Sequence, residues 1–295
     1  MGLRDRPTVS ATAVTRPRVA VRWGQVALEA GALVFLVVSA TVMFTPLLWM
    51  VVSAFKAEWE VTAIPPVWLP SQWKVENFVH VLNASPIGVG YKNSLIIATI
   101  VTIIQVFTSA LAGYAFAKLR FPGRNILFVG VLSTMMLPGF LIQIPLYVLM
   151  VNIGWMNTYQ AMIVPFLFTP FGIFMMRQFM LNIPSDYIDA ARIDGAGEIK
   201  IIYSVIFPLI REAAAALAIF VFIAHWNELF WALLMLRQRH MFTLPLALFV
   251  IQGDYGTFYH LVLAGATLAI IPPLIVYALF QEHIVRGITL TGLKG

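Results

Sequence analysis

Cysteine is absent from the 295 residues, which excludes thiol nucleophiles, iron–sulfur ligation and a disulfide framework. Charge is scarce: 11% of residues are charged, against about 25% in a soluble domain. The sequence also holds no glycine-rich phosphate loop ending in Lys-Ser or Lys-Thr and no nucleophile–base pattern, so it carries no catalytic motif of its own. What is abundant is apolar side chain. Hydrophobic residues make up 60%, against about 45–50% in soluble domains, and the mean hydropathy is +0.87. A folded soluble chain of this length cannot hide that much apolar surface from water. A soluble enzyme, a secreted disulfide scaffold and a disordered linker are therefore excluded, and an integral membrane protein is expected. The apolar runs do not alternate over about 10 residues as barrel strands do, so an all-α membrane protein is expected. The net charge of +6 belongs in cytoplasmic loops on this reading, and not to nucleic acid.

Each span needs about 20 apolar residues. The chain accommodates six within a transmembrane domain at 29–281, near 31–54, 94–117, 126–151, 159–181, 206–235 and 258–281. Residues 1–28, with Arg4, Arg6, Arg16, Arg18 and Arg22, read as a retained cytoplasmic tail. The apolar run after them is too long for a signal-peptide core and lacks a clear small-residue cleavage site. Residues 56–92 read as a loop whose Trp59, Trp68 and Trp73 suit an interfacial aromatic belt. With the N-terminus inside, fourteen Lys and Arg fall inside and five outside, which predicts an N-in, C-in protein, with 282–295 a cytoplasmic tail. In span two, Ser109, Gly113 and Ala117 repeat every fourth residue, a stripe that lets a neighbouring helix approach closely.

Residues 182–204 break the pattern with a high density of charge. Ser185 is placed to cap a helix, and Asp186 and Asp189 lie in the first turns, where carboxylates favour the positive dipole end. Gly195 is placed to end that helix in the left-handed conformation. A second short helix is expected from near Ala196 to Pro208. Tyr187 and Ala191 are four apart and share a face, and the small Ala190 and Ala191 admit another protein's surface. This predicts a compact cytoplasmic helix pair joined rigidly to spans four and five.

The string Asp189-Ala190-Ala191-Arg192-Ile193-Asp194-Gly195, with Pro208 thirteen residues after the glycine, resembles the EAA loop of bacterial ABC importer permeases. The family pattern is Glu-Ala-Ala, three residues, Gly, nine residues, Ile, one residue, Leu-Pro. Here Asp189, Val205 and Phe207 stand for Glu, Ile and Leu. The strings ENFVHVL (76–82), NSLIIAT (93–99), AGYAFAKLRFPGRN (112–125), WNELFWALL (226–234), TLPLAL (243–248) and FQEHIVRGITLTGLKG (280–295) resemble the carbohydrate branch, the maltose-type six-span permeases. The resemblance implies a bacterial or archaeal cell-membrane protein paired with a second homologous permease. It also implies two ATP-binding cassette subunits beneath, an extracytoplasmic solute-binding protein and a sugar substrate. ATP and magnesium would sit on the partner ATPase, with no cofactor on this chain and no enzymatic activity in it. Asp186, Tyr187, Asp189, Ala190, Ala191, Arg192, Asp194, Gly195 and Pro208 would form the coupling helix and its tether.

His225, Trp226, Asn227 and Glu228 fall inside the fifth span, with Trp231 one turn on. From Pro208 to His225 is roughly 26 Å of helix, so the cluster lies toward the outer half of the hydrocarbon core. Ionisable groups there usually face the bundle interior or water, and His225 and Glu228 are close enough in sequence to bond each other. One reading is a substrate vestibule, with Trp226 or Trp231 stacking on a sugar and Asn227 or Glu228 bonding hydroxyls. The other is a helix-packing cluster or interfacial anchor. Two candidate ligands are too few for a metal site. Residues 237–257 read either as a plain outer loop or, from the resemblance, as a loop reaching the binding protein through Asp254 and Tyr255. Two other functions remain open: a gradient-driven carrier, which would be expected to show internal repeats and midplane ionisable groups, and a non-transporting scaffold. Within the family, a glycerol-phosphate substrate would favour an added cation along the path. None lies mid-span, so the sequence leans to a neutral sugar.

Overall fold

Apolar length and proline position together fix the architecture. The computed structural model describes residues 23–84, 86–254 and 258–292, with side chains of the last helix up to Gln281. The basic tail residues, Tyr255 and Lys294 lie outside the described residues. All regular structure among the described residues is helical. In chain order the α-helices are α1 (Trp23–Ser53), α2 (Glu58–Val61), α3 (Glu76–Ala84), α4 (Ile87–Lys118), α5 (Arg124–Thr134), α6 (Gly139–Asn152), α7 (Tyr159–Ile163) and α8 (Pro170–Leu181). They continue with α9 (Asp186–Ile193), α10 (Glu198–Ile201), α11 (Phe207–Leu209), α12 (Arg211–Trp226), α13 (Phe230–Met235), α14 (Leu244–Asp254) and α15 (Tyr259–Gly292). The chain divides into two compact units, Met1–Leu48 and Trp49–Gly295.

Four helical stretches are long and apolar enough to cross a membrane: Leu28–Ser53, Ile87–Lys118, Tyr159–Leu181 and Tyr259–Gln281. Two bent pairs raise the number to six if each is one span: α5 with α6, at 94°, and Glu198–Leu209 with α12, at 82°. The expected spans 126–151 and 206–235 are thus not straight helices. In the first, residues 135–138 leave the helix before Pro138, which lacks an N–H to continue it. In the second, Ile210 leaves helical geometry at φ −104, ψ 10, and the helix stops again after Trp226. The segment expected as a loop at 56–92 holds α2, α3 and the start of α4. The segment 237–257 holds α14, whose Leu244, Leu246, Ala247 and Ile251 are buried. That helix packs on α4 and α15, so 237–257 is not a plain loop.

Within the larger unit, α4 is the central element and packs against α8, α12 and α14. Its small-residue stripe performs the expected task against α8. A Cβ on Gly113 would fall 2.7 Å from the Met176 Cβ, and one on Gly172 would overlap Ser109. The helices approach at these two glycines to a distance no larger residue permits.

The 54–77 segment is knotted by buried polar groups. Glu60 is 1% exposed and accepts the N–H groups of Ala57 at 2.8 Å and Ser71 at 2.9 Å. Asn77 donates to the carbonyls of Ala54 and Lys56. The fully buried Lys56 ammonium donates to Ser53 and lies 3.7 Å from the Trp49 ring centroid. Trp59, Trp68 and Trp73 remain exposed around it.

Candidate functional site

The 182–209 segment is a helix pair, as its residues require. Asp186 and Asp189 lie in the first turn of α9. Ser185 does not cap it through its side chain. Its backbone is already helical at φ −66, ψ −23, whereas a capping side chain needs an extended backbone. Its carbonyl instead accepts from the N–H groups of Ile188 and Asp189. At the other end Gly195 adopts φ +80. The Gly195 N–H donates to the Arg192 carbonyl at 3.0 Å and the Ala196 N–H to the Ala191 carbonyl at 2.9 Å, the paired bonds of a Schellman termination. The second helix starts at Glu198, passes through a π-turn at Ile202–Ile206 and reaches Pro208 in α11.

Ile188 is buried and Ala191 half-buried, so they fasten α9 to the unit. The opposite face carries Asp186, Tyr187, Asp189, Ala190, Ile193 and Asp194 exposed, Ile193 at 87%. A polar strut braces the pair from behind. The buried Tyr114 hydroxyl of α4 donates to Glu198 Oε2 at 2.6 Å. Arg192 donates to Glu198 Oε1 through Nε at 3.0 Å and Nη2 at 2.8 Å, and its Nη1 lies 3.5 Å from Asp189. The loop is thereby fixed to α4 as well as to its own tethers.

The second cluster surrounds the break between α12 and α13. Trp226 is 1% exposed, and its indole N–H donates to the Ala269 carbonyl at 3.0 Å. Trp231 is fully buried and donates to the Ala161 carbonyl at 2.9 Å. Phe222 stacks on Trp226, and Phe166 meets both His225 and Trp231 with centroids 5.2 and 5.9 Å away. The two indoles are therefore walled in by their own chain, against the expectation that one of them stacks on a sugar. The His225–Glu228 bond that the spacing allowed is replaced by two others. His225 Nε2 lies 3.1 Å from Gln105 Nε2, and Glu228 accepts the Trp231 N–H at 2.8 Å, capping α13. Asn227 is exposed and donates back to the Ile223 carbonyl. About two turns earlier on α12, Phe220 is 51% exposed and meets the 41% exposed Phe171 ring edge to face. Asp254 ends α14.

Gln105, Asn93 and Tyr114 did not enter the sequence reading of the site. Asn93 donates to the carbonyls of His240 and Phe242 and accepts from Tyr159. The available signal was an amide or hydroxyl alone in an apolar run, since such a group needs a partner at membrane depth.

Bent apolar helices around one central helix, with a short braced helix pair on one end, define a multi-helix membrane permease. The chain belongs to the family of binding-protein-dependent transport system inner membrane components, which its residues 105–290 match. It is 34% identical over 253 residues to the arabinooligosaccharides transport system permease protein AraQ of Halalkalibacterium halodurans, covering 85% of this chain and 91% of that one. It is 34% identical over 264 residues to the trehalose/maltose transport system permease protein MalG of Thermococcus litoralis, covering 88% and 94%. The sn-glycerol-3-phosphate transport system permease protein UgpE of Yersinia enterocolitica is 29% identical over 86% of this chain and 94% of that one. A solved bacterial ABC transporter involved in the import of the acidic polysaccharide alginate superimposes with a TM-score of 0.77. It covers 90% of this chain and 99% of that one at 22% identity, a likeness of fold. The protein is a multi-pass membrane permease of a transport system, and its family is not one of enzymes.

Proposed function

We propose that this chain is one of two permease halves of an ATP-driven importer of a neutral oligosaccharide. It would cross the membrane six times with both termini inside, α5–α6 and α11–α13 each serving as one bent span. The exposed face of α9, from Asp186 to Gly195, docks on a separate ATPase subunit that holds ATP and magnesium. Pro208 and the bend at Ile210 carry its movement to α12. The sugar path runs along the exposed side of α12, past Phe220 and Asn227, with Glu228 beside it. His225, Trp226 and Trp231 form the wall behind and do not touch sugar. The segment with Asp254 and Tyr255 would contact the solute-binding protein that delivers the substrate.

One observation carries this reading: a helix pair braced by Tyr114, Glu198 and Arg192 that leaves Tyr187, Ala190 and Ile193 outward. A rigid, sterically small surface on short tethers transmits force, and a flexible loop would absorb it. The similarity to oligosaccharide and disaccharide permeases supports the substrate class. A phosphorylated substrate needs a cation on the path, and α12 has no Lys or Arg beyond Arg211.

Gly195 tests the docking. A Cβ there meets nothing within 4 Å, yet its φ is +80. A substitution thus strains only the backbone, by about 1–2 kcal/mol, and asparagine tolerates that conformation. Gly195→Asn should import normally, and Gly195→Trp should reach the membrane but hydrolyse ATP without import. Normal uptake by Gly195→Trp would refute the docking role.

A further inference from the structure

A helical carbonyl at position i accepts the N–H of residue i+4. Proline has no N–H, so a proline in or after a helix orphans the carbonyl four residues before it. At membrane depth no water is at hand to satisfy that carbonyl. Pro165 removes the donor for Ala161 and Pro273 the donor for Ala269, and the Phe166 carbonyl precedes the extended Thr169 (φ −131, ψ 123) and the new helix at Pro170, so it too has no helical donor. Each of these three carbonyls is taken by a side chain from a different helix. Trp231 donates its indole N–H to Ala161 at 2.9 Å. Trp226 donates its indole N–H to Ala269 at 3.0 Å. Gln105 donates its amide to Phe166.

The three donors also meet each other's surroundings. Phe166 packs between His225 and Trp231, and Gln105 Nε2 is 3.1 Å from His225 Nε2. A carbonyl only accepts, so the Gln105 amide must turn its NH2 toward Phe166. Its second hydrogen is then directed at His225 Nε2, which must be the bare nitrogen of a neutral imidazole. The next carbonyl, Leu167, accepts from Thr108 of α4 at 2.8 Å. The unwound stretch between α7 and α8 thus hangs from α4, α7 hangs from α13, and α15 hangs from α12 at the turn before Pro273.

We infer that Trp226 and Trp231 are positioning residues that stand in for the backbone donors missing at Pro273 and Pro165, and that Gln105 is a positioning residue that holds the Phe166 carbonyl where the helix is interrupted. Through them, movement of α12 and α13 is passed to the helices on either side. α12 carries force from the coupling loop under the proposed function, and this second part rests on that reading. The hydrogen-bond part does not. Phenylalanine at 226 keeps an aromatic ring and loses the N–H. Alanine at 273 restores the missing backbone N–H, so the indole donor becomes redundant.

The test is a pair of double-substitution cycles on the full transporter complex purified in lipid nanodiscs, read by thermal denaturation of this chain and by substrate imported per ATP hydrolysed. Trp226→Phe should lower the midpoint by about 2–4 °C on the native background and by clearly less on Pro273→Ala. On the mismatched Pro165→Ala background its full effect should return. Trp231→Phe should show the reverse pairing, suppressed by Pro165→Ala and not by Pro273→Ala, so the inference stays testable if one proline variant fails to assemble. Equal effects on every background would overturn the stand-in role. In the second readout, Trp226→Phe and Gln105→Met should each raise the ATP spent per molecule imported. An unchanged ratio in both would leave the donors as packing groups and overturn the positioning role. Failure of the importer reading itself would be distinct, because the unsubstituted complex would then show no ATP-dependent uptake.

Discussion

Glu60 accepts two backbone N–H groups at 1% exposure, and the bonds from Ser71 hold its carboxyl below its ordinary value of 4.5. A carboxylate whose folded pKa is depressed stabilises the fold fully above its unfolded value and ceases to do so as pH falls through the folded one. The 54–77 knot should therefore be intact at neutral pH and loosen only below about pH 4.5. Glu60→Gln should remove most of that acid sensitivity and destabilise the knot at neutral pH, because its NH2 cannot accept from either N–H. Limited proteolysis of this segment across the acid range, in native and substituted protein, checks both. An unchanged acid profile would show that another group governs the knot. The same scale bears on the two readings that the sequence left open, a vestibule and a packing cluster. Trp226 and Trp231 look like sugar platforms in a sequence, since aromatic and amide residues cluster there. Their burial is invisible until Ala161 and Ala269, far along the chain, are brought beneath their N–H groups.

The helices themselves were largely legible. The long apolar runs, the small stripe on α4 and the charged helix pair that turns at Gly195 all follow from periodicity, side-chain size and the conformational needs of one glycine. The bends were not. Pro138, Pro165, Pro170 and Pro273 are visible in the sequence, but whether a proline breaks, kinks or spares a helix depends on what its neighbours donate. The α4–α8 contact gives the sharpest test at this scale. Gly113 faces Met176 so closely that added atoms must push the helices apart. Overpacking of this kind costs about 1–3 kcal/mol or more. Gly113→Leu should lower the amount of chain recovered from the membrane, while Gly130→Leu, on α5 with nothing within 4 Å of its Cβ, should not. Equal recovery of the two would contradict the close approach.

At the scale of the whole molecule, a helix pair presents an outward isoleucine at 87% with no covering element among the described residues, and the sequence carries no phosphate-loop motif. Under the proposed function it is a quarter of a machine whose motor lies elsewhere. Mild-detergent purification from its native membrane should bring down a nucleotide-binding subunit and a second permease, identified by mass spectrometry. A chain recovered alone, with no ATPase in any preparation, would count against the coupling face.

The 82° bend at Ile210 then sets a mechanical ratio. On one side lie the twelve residues from Glu198 to Leu209, about 18 Å long, and on the other the sixteen of α12, about 24 Å. Two stiff arms meeting near a right angle form a bell crank. Under the proposed function, a push perpendicular to the membrane at the coupling face is delivered as a sideways swing near Trp226, enlarged by roughly one third. The pivot residue is buried at 2% exposure, as a bearing should be.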